Sequence, residues 1–271
     1  MTSLSFDPVA DRYDASRAYP PEVAEAIGAA LFAAASAQPG SEILEIGAGT
    51  GRIAIPLLAL GANVTGVDIS PRMLDRLAAN LDARKQQEPA RGWGLLSSHV
   101  ADLTALPFNA ATFDAVVAVH VLHLVAEWKL ALDEAFRVLR PHAPFLIGQD
   151  RGLDQAARII QSRWIAITRE LGVPAGQLGA GYRDVVAELR GRGLTIEESI
   201  PVTWTTQRTP RQELTFVADR VWSRTWRVPA DAFAESIRRL QTWVDEQFGD
   251  TLDTPRDEVA EFVLARVVKP G

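Results

Sequence analysis

Residues 43–52 read Ile-Leu-Glu-Ile-Gly-Ala-Gly-Thr-Gly-Arg, and no other stretch restricts the fold as tightly. Ile43, Leu44 and Ile46 form the short apolar run of a strand covered on both faces. Gly47, Gly49 and Gly51 follow at alternate positions, where a chain reverses and a ligand can come close to the backbone. Ile53, Ile55, Leu57, Leu58 and Leu60 then continue as a helix. Pro56 either kinks that helix or marks a first turn that begins late. A strand, a glycine turn and a helix start aim free N–H groups and a positive dipole end at one point, which suits a nucleotide-like ligand.

The 271 residues are enough for one large α/β domain, or for one domain plus an elaborated cap. The net charge of −6 gives no basic field for nucleic acid. The absence of cysteine removes disulfides, thiolate zinc sites and cysteine nucleophiles. The longest apolar runs, near 26–37 and 115–126, are too short to span a bilayer, and the start lacks a signal-peptide pattern. These features predict a cytoplasmic protein without membrane insertion.

Along the chain, Pro20-Pro21 separates a leading arm, bearing Tyr13, Arg17 and Tyr19, from a helix over Val23–Leu31. The arm reads as a lid, against the plainer reading of a loose terminus. Asn63–Val67 is a second strand ending in Asp68. Ser70-Pro71 then caps a helix with the stripe Met73, Leu74, Leu77 and Leu81. Further strands are expected at 95–100, 115–121 and 144–149, with a helix through Leu132–Leu139 stopped by Pro141. Five strands alternating with helices predict an α/β fold with a doubly wound parallel sheet. Beyond residue 150 come helices around Ile160–Leu171, 182–192, 210–221 and 229–248, and strands at 194–200 and 261–268. Thr209-Pro210-Arg211-Gln212 has capping-box form. Five of the seven tryptophans lie in this half and read mainly as core. Arg151, Arg158, Arg163 and Arg183 read as a solvated face, with recognition of an acid as the alternative.

The glycine turn alone also satisfies a GxGxxA dinucleotide pattern. Three carboxylates carry more weight. Glu45 stands just before the first glycine, where a buried charge needs an ammonium or N–H donors. Asp68 ends the second strand, placed to accept from vicinal ribose hydroxyls. Asp102 follows the third, placed for an exocyclic amine, with Leu103 offering an N–H to a ring nitrogen. All three fall at carboxyl ends of parallel strands, where such sheets bind ligands. Taken singly, each also reads as a turn or cap carboxylate.

As a set, Glu45-Ile-Gly-Ala-Gly-Thr-Gly51, Asp68-Ile-Ser-Pro-Arg-Met73-Leu, Ala101-Asp102-Leu103 through Leu106-Pro107-Phe108, Phe113-Asp114 and Val138-Leu-Arg-Pro141 resemble the class I S-adenosylmethionine-dependent methyltransferases. The likeness is to the small-molecule group that includes the ubiquinone/menaquinone-biosynthesis type, and it covers roughly residues 6–150. It implies a seven-stranded, mostly parallel, Rossmann-like sheet with an antiparallel last strand and helical cap insertions. Residues 1–150 would form the S-adenosylmethionine-binding core with its arm. Residues 151–271 would supply the cap helices and the last two strands. Pro141-His142-Ala143 departs from the usual Pro-Gly-Gly of the family, in a turn remote from the site.

Carried onto this chain, the resemblance places Glu45, Gly47, Gly49 and Gly51 at the methionine end of S-adenosyl-L-methionine. Asp68 would sit at the ribose, Ile69 and Met73 beside the adenosine, and Asp102 and Leu103 at the adenine. His120 would offer its backbone to the methionyl ammonium, and Tyr13 and Arg17 would approach the carboxylate. Methyl transfer from a sulfonium depends mainly on alignment and exclusion of water. A base is needed only for a protonated acceptor; His123 and His120 are the candidates, His123 first, with satisfied pocket-wall histidines as the plain alternative for both. The four histidines lack metal-ligand spacing with carboxylates, so no metal is expected. The expected partner is a small-molecule acceptor, with no nucleic acid. The competing functions are a NAD-dependent oxidoreductase and a non-catalytic S-adenosylmethionine-binding protein.

Overall fold

The computed structural model describes residues 3–7, 18–152, 155–173 and 175–271. Its strands are β1 (Glu42–Ile46), β2 (Asn63–Asp68), β3 (Leu96–Val100), β4 (Ala115–Val119), β5 (Pro144–Gly152), β6 (Ile196–Arg208) and β7 (Arg256–Val268). They form one sheet in the order β3-β2-β1-β4-β5-β7-β6. Pairing is parallel from β3 across to β5. Ala143, just before β5, is bonded to Lys269 beyond the end of β7, whereas Gly152 at the end of β5 lies against Glu258 near the start of β7. β7 therefore runs antiparallel to β5. The seven-stranded, mostly parallel fold expected from the resemblance is the fold observed.

Helices α1 (Pro21–Ala34), α2 (Ala54–Ala59), α3 (Pro71–Gln87) and α4 (Trp128–Val138) alternate with the first five strands. α5 (Gln155–Glu170), α6 (Tyr182–Gly191), α7 (Pro210–Ala218) and α8 (Ala230–Phe248) belong to the second half. α2 resolves the two readings of Pro56. The helix begins at Ala54, so Pro56 is its third residue, where an N–H would have no intrahelical acceptor. Ser70 caps α3 by accepting from Met73 N at 3.1 Å, with Pro71 in the first turn. The Thr209–Gln212 capping box forms in both directions at the start of α7.

The chain divides into two compact units. The first comprises Met1–Gln149, Leu178–Val202 and Phe262–Gly271. Its core is built on Leu44, Ile46, Val116 and Phe145 from the strands, with Leu132 and Ala135 of α4 packed against them. The β4 sequence Ala-Val-Val-Ala-Val is buried throughout, as a central parallel strand requires.

The second unit comprises Asp150–Gln177 and Thr203–Glu261. Its core packs α5, α7 and α8 through Ile160, Trp164, Val217, Leu240 and Val244. Trp164 has no solvent exposure, and its indole N–H donates to Ser236 Oγ at 3.0 Å. Trp164→Phe leaves that arrangement short of a donor, so its urea midpoint should fall by the equivalent of about 1–2 kcal/mol. An unchanged midpoint would show that the indole bond adds nothing.

Candidate functional site

Strand order reverses between β1 and β4, and parallel sheets bind ligands outside the carboxyl ends of their strands at such a point. The glycine turn leaves β1 there and is tied back to β2. Gly47 N and Ala48 N both donate to Val67 O, at 2.7 and 3.0 Å. Gly47, Gly49 and Gly51 all have positive φ, at 75°, 54° and 91°. A Cβ on Gly47 would sit 2.3 Å from Val121 Cγ2, so the turn has space there only for hydrogen.

A cavity of about 60 Å³ lies at these tips. Its wall includes Gly47, Gly49, Asp68, Ile69, Met73, Leu103 and His120, seven of the residues expected from the sequence. Asp68 is fixed in place: Oδ2 accepts from Gly49 N and Oδ1 from Ser70 N, each at 2.9 Å. Burial raises its pKa above the ordinary carboxylate value, and the backbone donors at Ser70 and Gly49 oppose that rise. His120 follows β4 with φ 52°, and its N–H donates to Gly148 O at 3.3 Å. That sparsely populated backbone conformation is the kind that clusters at ligand sites.

Other expected residues fall elsewhere. Glu45 lies buried at 2% exposure, and among the described residues its Oε2 has no hydrogen-bond partner. Its pKa is raised well above the ordinary value, chiefly by burial, against the opposing charge of Arg52. Gly51 is on the wall of a different, larger cavity of about 490 Å³, which also includes Arg52, Ile55 and Asn80. The local geometry of Asp102 is that of a turn: Oδ1 accepts from Thr104 N at 2.9 Å and from Thr104 Oγ1 at 2.8 Å. His123 is partly buried in a short helical turn and does not line the strand-tip cavity. Tyr13 and Arg17 lie outside the described residues.

Residues 3–7 of the arm cross the cavity, which Ser3, Leu4 and Phe6 help to line. Ser3 bridges Val125 in antiparallel fashion, and Leu4 N donates to Leu124 O at 3.0 Å. Ser70 Oγ donates to Asp7 Oδ1, and Arg72 Nη1 donates to Asp7 O at 3.0 Å. The apolar wall formed by Val119, Val121, Leu124 and Val125 was not singled out from the sequence as part of the site. Its signal is the apolar run continuing past β4, which reads equally well as strand or core.

Residues 44–147 match the methyltransferase-domain family. An uncharacterized methyltransferase of Mycobacterium tuberculosis is 32% identical over 240 residues, 88% of this chain and 85% of that protein. An uncharacterized protein of the same organism is 33% identical over 120 residues, 44% of this chain; the match spans only 41% of that relative's length. Among solved structures, a putative methyltransferase from Bacillus halodurans superposes with a TM-score of 0.59 at 17% identity, over 90% of this chain and 99% of that one.

Proposed function

Because this chain belongs to the class I S-adenosylmethionine-dependent methyltransferases, we propose that it transfers a methyl group to a small or medium organic acceptor from a cofactor held at the tips of β1, β2 and β4. The observation that carries this reading is the strand-tip cavity itself. It combines a glycine cradle that a Cβ would fill at Gly47 with a carboxylate at the tip of β2. Beside the same turn, though not on the cavity wall, Glu45 keeps a buried carboxylate oxygen without a partner among the described residues. These suit a ligand with a ribose at one end and an ammonium at the other. When bound, S-adenosylmethionine supplies an electrophilic methyl on a sulfonium.

In this reading Asp68 accepts from the ribose with the lone pairs not used by Gly49 and Ser70. Glu45 compensates the charge of the ammonium end. Leu103 and Met73 enclose the adenine and adenosine, and Asp102 contributes from its turn with Thr104. Residues 3–7 keep water out, which strengthens every charge interaction within. Residues 1–150 serve as the binding core, while cap segments within 151–271 select the acceptor. His123 is kept as the base for an acceptor that arrives protonated. Tyr13 and Arg17 are assigned to the cofactor carboxylate on the resemblance alone.

Labelled S-adenosylmethionine incubated with cell extract tests the reaction. Label is expected in the small-molecule fraction, and label confined to protein or RNA would overturn the acceptor class. Asp68→Ala should weaken S-adenosylmethionine binding at least tenfold in calorimetry, on the order of 1.4 kcal/mol. Unchanged affinity would remove the ribose role. Titration with a nicotinamide dinucleotide should give no heat.

A further inference from the structure

Between α7 and α8, the second unit carries Arg220, Trp222, Arg224, Trp226 and Arg227 within eight residues. Across the described residues, arginines characteristically meet acids. Arg151 is paired with Glu261, Arg163 with Glu170, Arg208 with Glu213 and Arg211 with Asp253. Among the described residues, none of the three arginines in this segment has a carboxylate partner. Arg220 instead lies 3.9 Å from the centre of the Phe233 ring and donates to Val228 O at 3.3 Å. Arg227 is exposed.

Arg224 is the unusual member of the three. Its side chain is partly buried, and it has no hydrogen-bond or ion-pair partner among the described residues. Burial alone holds its guanidinium below the usual arginine range. A cation withdrawn from water without compensation is costly, and such a group persists where it has a use. The turn that holds it is fixed. Trp226 Nε1 donates to Arg220 O at 2.7 Å, and Thr225 Oγ1 donates to Trp222 O at 2.6 Å. Arg224 therefore stands on a hydrogen-bonded turn, between Trp222 and Trp226 in sequence, in a protein whose net charge is negative.

We propose that Arg224 is the anchor of an oxyanion-binding site in the second unit, which takes a carboxylate or phosphate on an apolar or aromatic body. The Arg224 fork donates two N–H bonds to the oxyanion, Arg220 and Arg227 add to the local field, and the indoles cover the apolar part. The arginines singled out from the sequence do not serve this role. Arg151 and Arg163 are paired with acids, and Arg158 and Arg183 are exposed.

Calorimetry on the full chain with S-adenosylhomocysteine present, using benzoate, phenyl phosphate and uncharged benzamide, tests the site. One of the two anions is expected to bind at least tenfold more tightly than benzamide, and which one distinguishes a carboxylate from a phosphate ligand. Arg224→Met should lose at least tenfold for that anion, and Arg224→Lys should fall between the two. The ligand-free Arg224→Met protein should melt at or above the wild-type temperature, because the substitution removes an uncompensated cation. A structural arginine would lower it. Equal binding of all three probes, an affinity untouched by Arg224→Met, or a lowered melting temperature would each overturn the proposal. Wild-type S-adenosylmethionine affinity is titrated separately. Its absence would sink methyl transfer and leave the oxyanion result standing.

Discussion

Gly47→Ala should reduce S-adenosylmethionine affinity at least a hundredfold, on the order of 2.7 kcal/mol, and destabilise the ligand-free protein by roughly 2–4 kcal/mol. Two independent costs meet at this position. The backbone has φ 75°, where an alanine is strained by about 1–2 kcal/mol. The added Cβ would lie 2.3 Å from Val121 Cγ2 and 2.6 Å from Val121 Cβ, so one of them must shift. Val121 lines the same cavity, and any displacement moves the wall on which the proposed ligand rests. Val121→Ala combined with Gly47→Ala should recover part of the stability, because it removes the clash with Cγ2 and leaves the contact with Cβ and the φ strain. Recovery would show up as a positive coupling in the double-mutant cycle. Simple additivity of the two substitutions would mean that the clash has no energetic weight. A Gly47→Ala protein with normal affinity would remove the glycine turn from the site.

The physical basis of that prediction also explains why this region was readable in advance. Gly47, Gly49 and Gly51 are specified by local sterics, Ser70-Pro71 by local capping, and β4 by a run of apolar residues. All of these act within a few residues. The later strands were harder to read. β6 reads as ending at Ile200 because Pro201 follows, yet the strand continues to Arg208. It is the last strand of the sheet, and an edge has a side on which the missing N–H is not needed. β7 reads as beginning at Glu261, where its apolar run starts. Its first residues instead alternate, with Glu258 and Ala260 buried and Asp257 and Val259 exposed. Arg208, whose side chain meets both Glu213 and Glu258, lies fifty residues away from Glu258 along the chain. Partnerships over that distance leave no periodicity to read. The same is true of Arg224, whose distinction is the lack of a partner.

Glu45→Gln should separate binding from stability most sharply, because the two are expected to move in opposite directions. Glu45 is buried, accepts a backbone hydrogen bond from Ala54, and keeps Oε2 without a partner among the described residues. Burial dominates its raised pKa; the charge of Arg52 opposes the rise and that of Asp68 adds to it. Below about 4.5 the carboxyl is protonated in the folded and unfolded chains alike, so it costs nothing there. As pH climbs from that value, the unfolded chain ionises first, and the folded state loses stability until its own raised pKa is passed. The ligand-free Glu45→Gln protein lacks this loss. It should be more stable than wild type at neutral pH by about 1–3 kcal/mol, with the difference closing as pH falls toward 4.5. Asp68 contributes a slope of the same sign in both proteins, so the difference between them reports Glu45 together with its charge coupling to Asp68. With S-adenosylmethionine present the sign reverses. In the proposed complex the ionised carboxylate pairs with the ammonium, so wild-type affinity should rise with pH over the same window. Glu45→Gln should bind at least thirtyfold more weakly at neutral pH, about 2 kcal/mol, and with a flat pH profile. Calorimetry across that range, with thermal melts of the ligand-free proteins, measures both slopes. A variant that binds as wild type does, or is less stable without ligand, would assign Glu45 to the structure of the β1 turn and take it out of the cofactor site.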